Sequence, residues 1–301
     1  AIINLTGGGI SGGYRTLLLN LMPGLCRSSS VSAVLCAAPA ALTCDKWLPA
    51  HPKARHVRCE PFRPWGHGPC AALKTSLDEF KPDLLFVPLE RYLRYRDIPL
   101  VCMIQNMAPL MPSGDYRWND RLKLLVQRHE TRLAVNKASH VLAISDFVEN
   151  FLVHEWKVPR ERVSRVYLGL PDRLSESVRP EKIPAGWEGN FLFTAGSFEP
   201  YRGYEDVLRA AGLLRRKGRS VKIAIAGAAR PAAAHYEKQI RVLAAAEGIA
   251  ENIVWLGQIP RREMNWCYRN CSAFAISSRV EAMALIVLEA LAHQCIIVAI
   301  R

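Results

Sequence analysis

The chain has 301 residues, half of them hydrophobic and 22% charged, a balance that belongs to a folded globular protein and excludes a disordered or fibrous one. Its formal net charge is +13, shared between residues 1–150 (18 Lys/Arg against 12 Asp/Glu, +6) and residues 151–301 (22 against 15, +7). That even spread excludes a basic tail and leaves a general attraction to anions.

Along the chain, short β-branched or Leu-rich runs alternate with longer segments of helical period. Strands are expected at Ile2–Leu5, Ser32–Cys36, Leu84–Val87, Leu100–Ile104, His140–Ile144 and Arg165–Leu168, with helices at Tyr14–Leu25, Ala71–Phe80 and Arg117–Lys137. The pattern then restarts with strands at Phe191–Ala195, Val221–Ala226, Asn252–Leu256, Ala273–Ile276 and Cys295–Ala299. Helices at Tyr204–Arg216, His235–Ala246, Arg262–Tyr268 and Leu285–His293 separate them. Such alternation implies an α/β protein built of βαβ units and parallel sheets. The break is rich in Pro, Gly and charge. This gives a first Rossmann-like domain at 1–171, a linker at 172–190 and a second Rossmann-like domain at 191–301.

No uninterrupted apolar run is long enough to span a bilayer: Ser32 to Cys44 is broken by Pro39, and Ala284 to Ile300 by Glu289 and His293. The opening Ile2-Ile3-Asn4-Leu5 lacks the basic-then-apolar build of a secretory leader, so a cytoplasmic location is expected. Nine cysteines without a C-x-x-C suggest neither a disulfide scaffold nor a zinc ribbon. His56, Cys59, His67 and Cys70 form a metal set on paper, but their spacing matches no standard template and they read as loop residues.

Three stretches could carry chemistry. Gly7 to Gly13 satisfies G-x-G-x-x-G at residues 7, 9 and 12, yet the second strand ends in Ala37-Ala38-Pro39 with no acid for a ribose, and no Gly-Lys-Ser/Thr follows. What survives is a glycine loop whose N–H groups could face a phosphate, or a mere tight turn. Gly196 to Gly203 again lies between strand and helix, with Arg202 placed to reach a phosphate or to be a surface arginine on a turn. The third is the most specific. Ser277-Ser278-Arg279-Val280-Glu281 follows a strand, and Glu289 falls about a turn into an apolar helix, where an unpaired carboxylate is costly. Between the two acids lie the N–H groups of a helix start, which suit an anion.

With these residues in view, the sequence resembles the retaining glycosyltransferases of family 4, of the GT-B fold. The resemblance runs over nearly the whole chain: Gly12-Gly13 with Tyr14–Leu25, Pro99–Pro109, His140–Asp146, Gly196–Gly203, Ile253–Gly257, and the E-x7-E pair Glu281 and Glu289. It implies that Glu281 orients the transferred sugar and that main-chain groups of Met283, Ala284 and Leu285 hold sugar and diphosphate. Glu289 would bind the ribose, Arg202 would stand for the family's phosphate-binding Lys, and Gly257, Gln258 and Ile259 would lie near the base. Gly12 and Gly13 would close over the diphosphate or acceptor, and Gln105 and Asn106 would lie on the acceptor side. The sequence departs from the family at Ser197, where a second phosphate-binding Arg is common, at Gln105, where many members carry His, and at Ala282 and Ala284, which replace glycines. It also stops at Arg301, where the family continues, so a fragment with an incomplete second domain is expected.

The expected partners are a nucleoside-diphosphate sugar as donor and a glycan or lipid-linked acceptor. No cofactor is expected, and the absence of D-x-D fits a metal-independent reaction. The alternative is a catalytically weak or inactive nucleotide-sugar-binding scaffold of the same fold. Nucleic acid is not an expected partner, although basic and aromatic residues interleave from Arg91 to Arg96. Arg121, Lys123, Arg128 and Arg132, with Leu122, Leu124, Leu125 and Leu133, suggest a helix at the inner face of an anionic membrane or, by preference, core packing with a wet basic face.

Overall fold

The structure is a computed structural model that describes residues 1–3, 6, 12–63, 65–112, 116–170, 176–229 and 233–300. Contacts divide the chain into two compact units, one of residues 1–110 and 118–169, the other of residues 111–117 and 170–301.

The first unit holds strands β1 (Ile2–Ile3), β2 (Val34–Pro39), β3 (Ala54–Cys59), β4 (Leu85–Val87), β5 (Leu100–Ile104), β6 (His140–Ala143) and β7 (Val163–Arg165). They pair in parallel in the order β3-β2-β1-β4-β5-β6-β7, the doubly wound order whose direction reverses between β1 and β4. Every residue of β2 is buried, as a parallel strand covered on both faces requires. The helices are α1 (Gly12–Arg27), α2 (Cys44–Trp47), α3 (Ala71–Phe80), α4 (Trp118–Lys137) and α5 (Asp146–Asn150). Ser145 caps α5 by accepting from the Val148 N–H at 3.2 Å, and one wider turn continues the helix over Phe151–Glu155.

The second unit holds β8 (Leu192–Ala195), β9 (Ile223–Ala226), β10 (Ile253–Gly257), β11 (Ala273–Ile276) and β12 (Ile297–Ala299), in the order β10-β9-β8-β11-β12. Its helices are α6 (Tyr204–Arg216), α7 (Ala234–Ala246), α8 (Arg261–Asn270) and α9 (Leu285–Ala292). Its strand order reverses between β8 and β11. Two clusters fill the faces of this sheet, one around Phe193, Tyr268 and Phe274, the other around Tyr204, Leu208 and Ile240. Ile183 and Trp187, from the segment expected as linker, are buried in the first of these.

Several expectations are corrected. β3 lies where no strand was expected, because its sequence ARHVRC is too polar to announce itself; the strand sits at the sheet edge, where charged side chains are tolerated. β7 is Val163–Arg165 rather than Arg165–Leu168: Val163 is buried against Val141, while Val166 and Tyr167 are exposed. In α4 the buried residues are Glu130, Thr131, Ala134 and Val135, so Leu122 and Leu125, expected to pack inward, face solvent instead. The Arg91–Arg96 segment is spent internally: Arg91 stacks on Phe62, Arg96 pairs with Asp78, and Leu93 and Tyr95 are buried. No described helix is long and apolar enough to cross a membrane.

Candidate functional site

In the second unit the site grows from the strand ends at the reversal point. A doubly wound sheet leaves a crevice beyond the carboxyl ends of the two strands that lead away in opposite directions, here β8 and β11. The loop after β8 carries Gly196 to Gly203, and the loop after β11 carries Ser277 to Ala284. The two loops are stitched together. Ser277 Oγ donates to the Arg202 carbonyl at 2.9 Å, the Arg279 N–H donates to the Tyr201 carbonyl at 2.8 Å, and Arg279 Nη1 donates to the Pro200 carbonyl at 2.9 Å. Arg279 also pairs with Glu205 and Asp206, both at 2.9 Å, so this cation is committed to the loop itself.

Arg202 and Glu281 are thereby brought together. Arg202 Nη1 donates to Glu281 Oε1 and lies 3.3 Å from Ser278 Oγ. Arg202 Nε is buried without a hydrogen-bond partner, beside Gly196. Burial opposes the charge on Arg202, but Tyr201, Glu281 and Tyr204 together outweigh it and hold the guanidinium cationic.

Three neighbouring strands end in glycines with positive φ: Gly196 (142°) after β8, Gly227 (142°) after β9 and Gly257 (73°) closing β10. The Gly196 N–H donates to the Ala226 carbonyl at 3.0 Å, and the Gly227 N–H to the Gly257 carbonyl at 2.8 Å. A Cβ on Gly227 would stand 1.8 Å from the Gly196 carbonyl oxygen, so this edge admits no side chain there. Ser197 is half-buried on the first of these turns and Gln258 is exposed after the third, while Ile259 packs against the core. Lys182 Nζ donates to the Leu256 carbonyl at 3.2 Å, which puts a cation beside the Gly257 turn.

Glu289 lies on α9, where its sequence setting demanded a partner, and it has two. Tyr268 donates its hydroxyl to Glu289 Oε2 at 3.2 Å, and Arg261 pairs with Oε1 at 3.1 Å. Both partners come from α8, and nothing in the sequence linked them to Glu289. Ahead of α9, Ala284 caps the helix without a side-chain bond, and the Leu285 N–H donates to the Met283 carbonyl at 3.0 Å. That N–H, expected to serve an anion, is engaged within the turn.

In the first unit Gly12 and Gly13 head α1, while Gly7 to Ser11 lie outside the described residues. Gln105 and Asn106 follow β5 and are held by a residue the sequence did not single out. Glu90, buried after β4, accepts the N–H of Gln105 and, at 2.7 Å, that of Asn106. The Gln105 side chain donates to the Pro88 carbonyl. Burial raises the Glu90 carboxyl above its ordinary value, against the Gln105 N–H and the Arg91 charge, which lower it. The metal set of His56, Cys59, His67 and Cys70 does not assemble. His67 Nε2 meets Glu130 at 3.1 Å, burial pushes the Cys59 thiol up to about 12, and no metal-holding cluster occurs among the described residues.

Residues 11–173, more than half of the chain, match the family model described as Glycosyltransferase Family 4, and residues 178–301 match the one described as Glycosyl transferases group 1. The chain belongs to these glycosyltransferases, of the GT-B fold. A curated relative, the uncharacterized glycosyltransferase YqgM of Bacillus subtilis, is 23% identical over 199 residues, 66% of this chain and 51% of that protein. The chain thus spans about half the length of the curated relative it matches. Among solved structures, Anabaena HepE in complex with UDP and glucose superposes with a TM-score of 0.68 at 18% identity, covering 99% of this glycosyltransferase and 79% of that chain. Sucrose-phosphate synthase from Thermosynechococcus elongatus gives 0.68 at 14% identity with the same coverage. At such identities the likeness shows the fold alone.

Proposed function

We propose that this glycosyltransferase moves a sugar from a nucleoside-diphosphate donor to a hydroxyl of a glycan or lipid-linked acceptor, with retention of configuration and without a metal ion. The observation that carries the reading is the Arg202–Glu281 pair at the reversal point of the second sheet, with a buried donor atom of Arg202 unpartnered. The UDP bound in the HepE crystal structure supports the choice of donor class.

Each residue then has a chemical task. Glu281 accepts from sugar hydroxyls, Arg202 donates to the diphosphate, and Glu289 accepts from the ribose. The glycines at 196, 227 and 257 let backbone approach the nucleotide closely, since none carries a Cβ. The bond between the sugar's anomeric carbon and the diphosphate oxygen breaks with its electron pair going to the diphosphate. A bond to the acceptor oxygen forms on the same face, and the acceptor's proton passes to the departing phosphate. Negative charge grows on the diphosphate during this step, so a fixed cation stabilises the transition state more than the ground state. Gln105 and Asn106 serve the acceptor side, held by Glu90.

Transfer of label from a panel of labelled nucleotide sugars, compared between the wild type and Glu281→Ala, tests the reading. Loss of transfer with the fold retained supports it; equal turnover sinks the assignment of the site. Nucleotide binding without transfer in the wild type favours the scaffold reading instead, to which Ser197 and Gln105 lend support.

A further inference from the structure

Residues 176–187 precede the first strand of the second unit and are laced to it at several points. The Val178 N–H donates to the Arg262 carbonyl at 3.0 Å, and Asn265 Nδ2 donates to the Glu176 carbonyl at 2.8 Å, so the segment is tied to α8. Arg179 Nη2 donates to the Ile183 carbonyl at 2.6 Å, and the Ile183 N–H donates to the Pro180 carbonyl at 3.1 Å, closing a turn. Ile183 and Trp187 then anchor the segment in the core around Phe193. Lys182 lies within this turn, on backbone that is held from both sides.

The Lys182 amine reaches the end of β10. It donates to the Leu256 carbonyl at 3.2 Å, and a Cβ placed on Gly257 would meet nothing nearer than this amine, at 4.0 Å. An ammonium carries three N–H donors and no acceptor, so the Leu256 carbonyl engages only one of them. Lys182 is exposed and forms no ion pair among the described residues, which leaves its charge uncommitted. In the strand order β10 stands two places from β8, about 10 Å at the usual strand spacing, so Lys182 does not share the phosphate site of Arg202. Glu289, by contrast, points the way to it: its partner Arg261 opens α8, just after the Gly257 turn.

Resting on the donor reading above, we infer that Lys182 reads the base of the donor nucleotide and selects a keto base, uracil or guanine, over an amino base, cytosine or adenine. A ribose at Glu289 sends its base toward the start of α8 and the Gly257 turn, where the amine waits. The facing group of the base decides the outcome. A ring carbonyl accepts from the ammonium, whereas an exocyclic amine in the same place sets donor against donor. The discrimination comes as much from the mismatch as from the match, because a donor without its acceptor loses its hydrogen bond to water and gains none. Glycine at 257 serves the same end, since a side chain there would stand between the amine and the base.

Titration calorimetry of the full chain tests it with UDP against CDP and GDP against ADP. Within each pair the ribose and phosphates are the same, while a ring carbonyl gives way to an amine. In the pair that the wild type binds more tightly, the keto member is expected to lead by about tenfold or more, the size of a hydrogen bond to a charged group. Lys182→Met, which keeps the length of the side chain and removes its charge, should abolish most of that lead by weakening the keto member. Its affinity for inorganic pyrophosphate should stay at the wild-type value. Lys182→Gln should show the same loss, because its amide accepts as well as donates, so the result does not hang on the folding of one variant. Lys182→Arg should keep most of the lead. Equal affinity of the wild type for both members of each pair overturns the inference, as does a lead that survives Lys182→Met and Lys182→Gln. Weakening of all four nucleotides and of pyrophosphate alike assigns the amine to general attraction of anions and overturns it too. Binding of none of the four to the wild type is the distinct result that fails the donor reading, and this inference with it.

Discussion

Arg202 and Glu281, 79 residues apart in sequence, meet in an ion pair where the second sheet reverses its strand order. The pair fixes two long side chains at the crevice before any ligand arrives, which lowers the ordering cost of binding. Arg202→Ala is expected to weaken nucleoside-diphosphate affinity by roughly ten- to a hundredfold, the size of a lost hydrogen bond to a charged group. Arg202→Lys should recover part of that, since an ammonium supplies charge without the fork of donors. Titration calorimetry reads both; equal affinity for all three proteins contradicts the assignment.

On the proposed reading Glu289 serves the ribose and Arg202 the diphosphate, so the two tasks can be tested apart. Gln at this position can still accept from Tyr268 but no longer pairs with Arg261. Glu289→Gln should therefore lose affinity for a nucleoside diphosphate while binding inorganic pyrophosphate as the wild type does. A parallel loss for both ligands would place Glu289 in a general structural role.

Gly227→Ala probes the edge formed by the three strand-end glycines. The new Cβ would overlap the Gly196 carbonyl oxygen at 1.8 Å, on a backbone already at φ 142°. A destabilisation of about 3 kcal/mol or more is expected from strain and overpacking together. Gly24→Ala is the control, because a Cβ there meets nothing within 4 Å. Urea unfolding of the two variants compares them directly.

The buried Glu90 gives a pH dependence with a definite sign. Its folded carboxyl is raised above 4.5 by burial, so the folded state holds the proton more tightly than the unfolded chain. The associated stability is present below the unfolded value and is lost as pH rises through the folded one. The stability of wild type relative to Glu90→Gln should thus fall as pH rises from about 4.3, the ordinary glutamate value, through the raised folded one. A flat difference across that range would show that Glu90 carries no such penalty.

Much of this architecture was legible in the sequence, for reasons that differ from element to element. α6 reads cleanly from Tyr204 to Arg216 because its apolar residues recur at helical period and face one core. The candidate site was legible where local context constrained it: Glu281 on a loop, Glu289 on an apolar helix, Arg202 between strand and helix. Partners supplied by tertiary contact were not. Arg261 and Tyr268 reach Glu289 only because α8 packs beside α9, and Glu90 reaches Gln105 only because β4 pairs with β5. Gly227 looked like any glycine after a strand; the Gly196 carbonyl beside it explains why it must be one. The exposed Leu122 and Leu125 misled in the other direction, since periodicity marks an apolar stripe without saying what covers it.

On the proposed reading the second unit binds a nucleoside-diphosphate donor through Arg202, Glu281 and Glu289. Its most direct test is the thermal midpoint of the wild type and of Arg202→Ala with Glu289→Ala, each with UDP, GDP and ADP. Ligand at about a hundred times its dissociation constant adds roughly 2.7 kcal/mol to folding stability. A clear rise is expected for the wild type with one of the three nucleotides and none for the double variant. No rise with any nucleotide, or the same rise in both proteins, would contradict it.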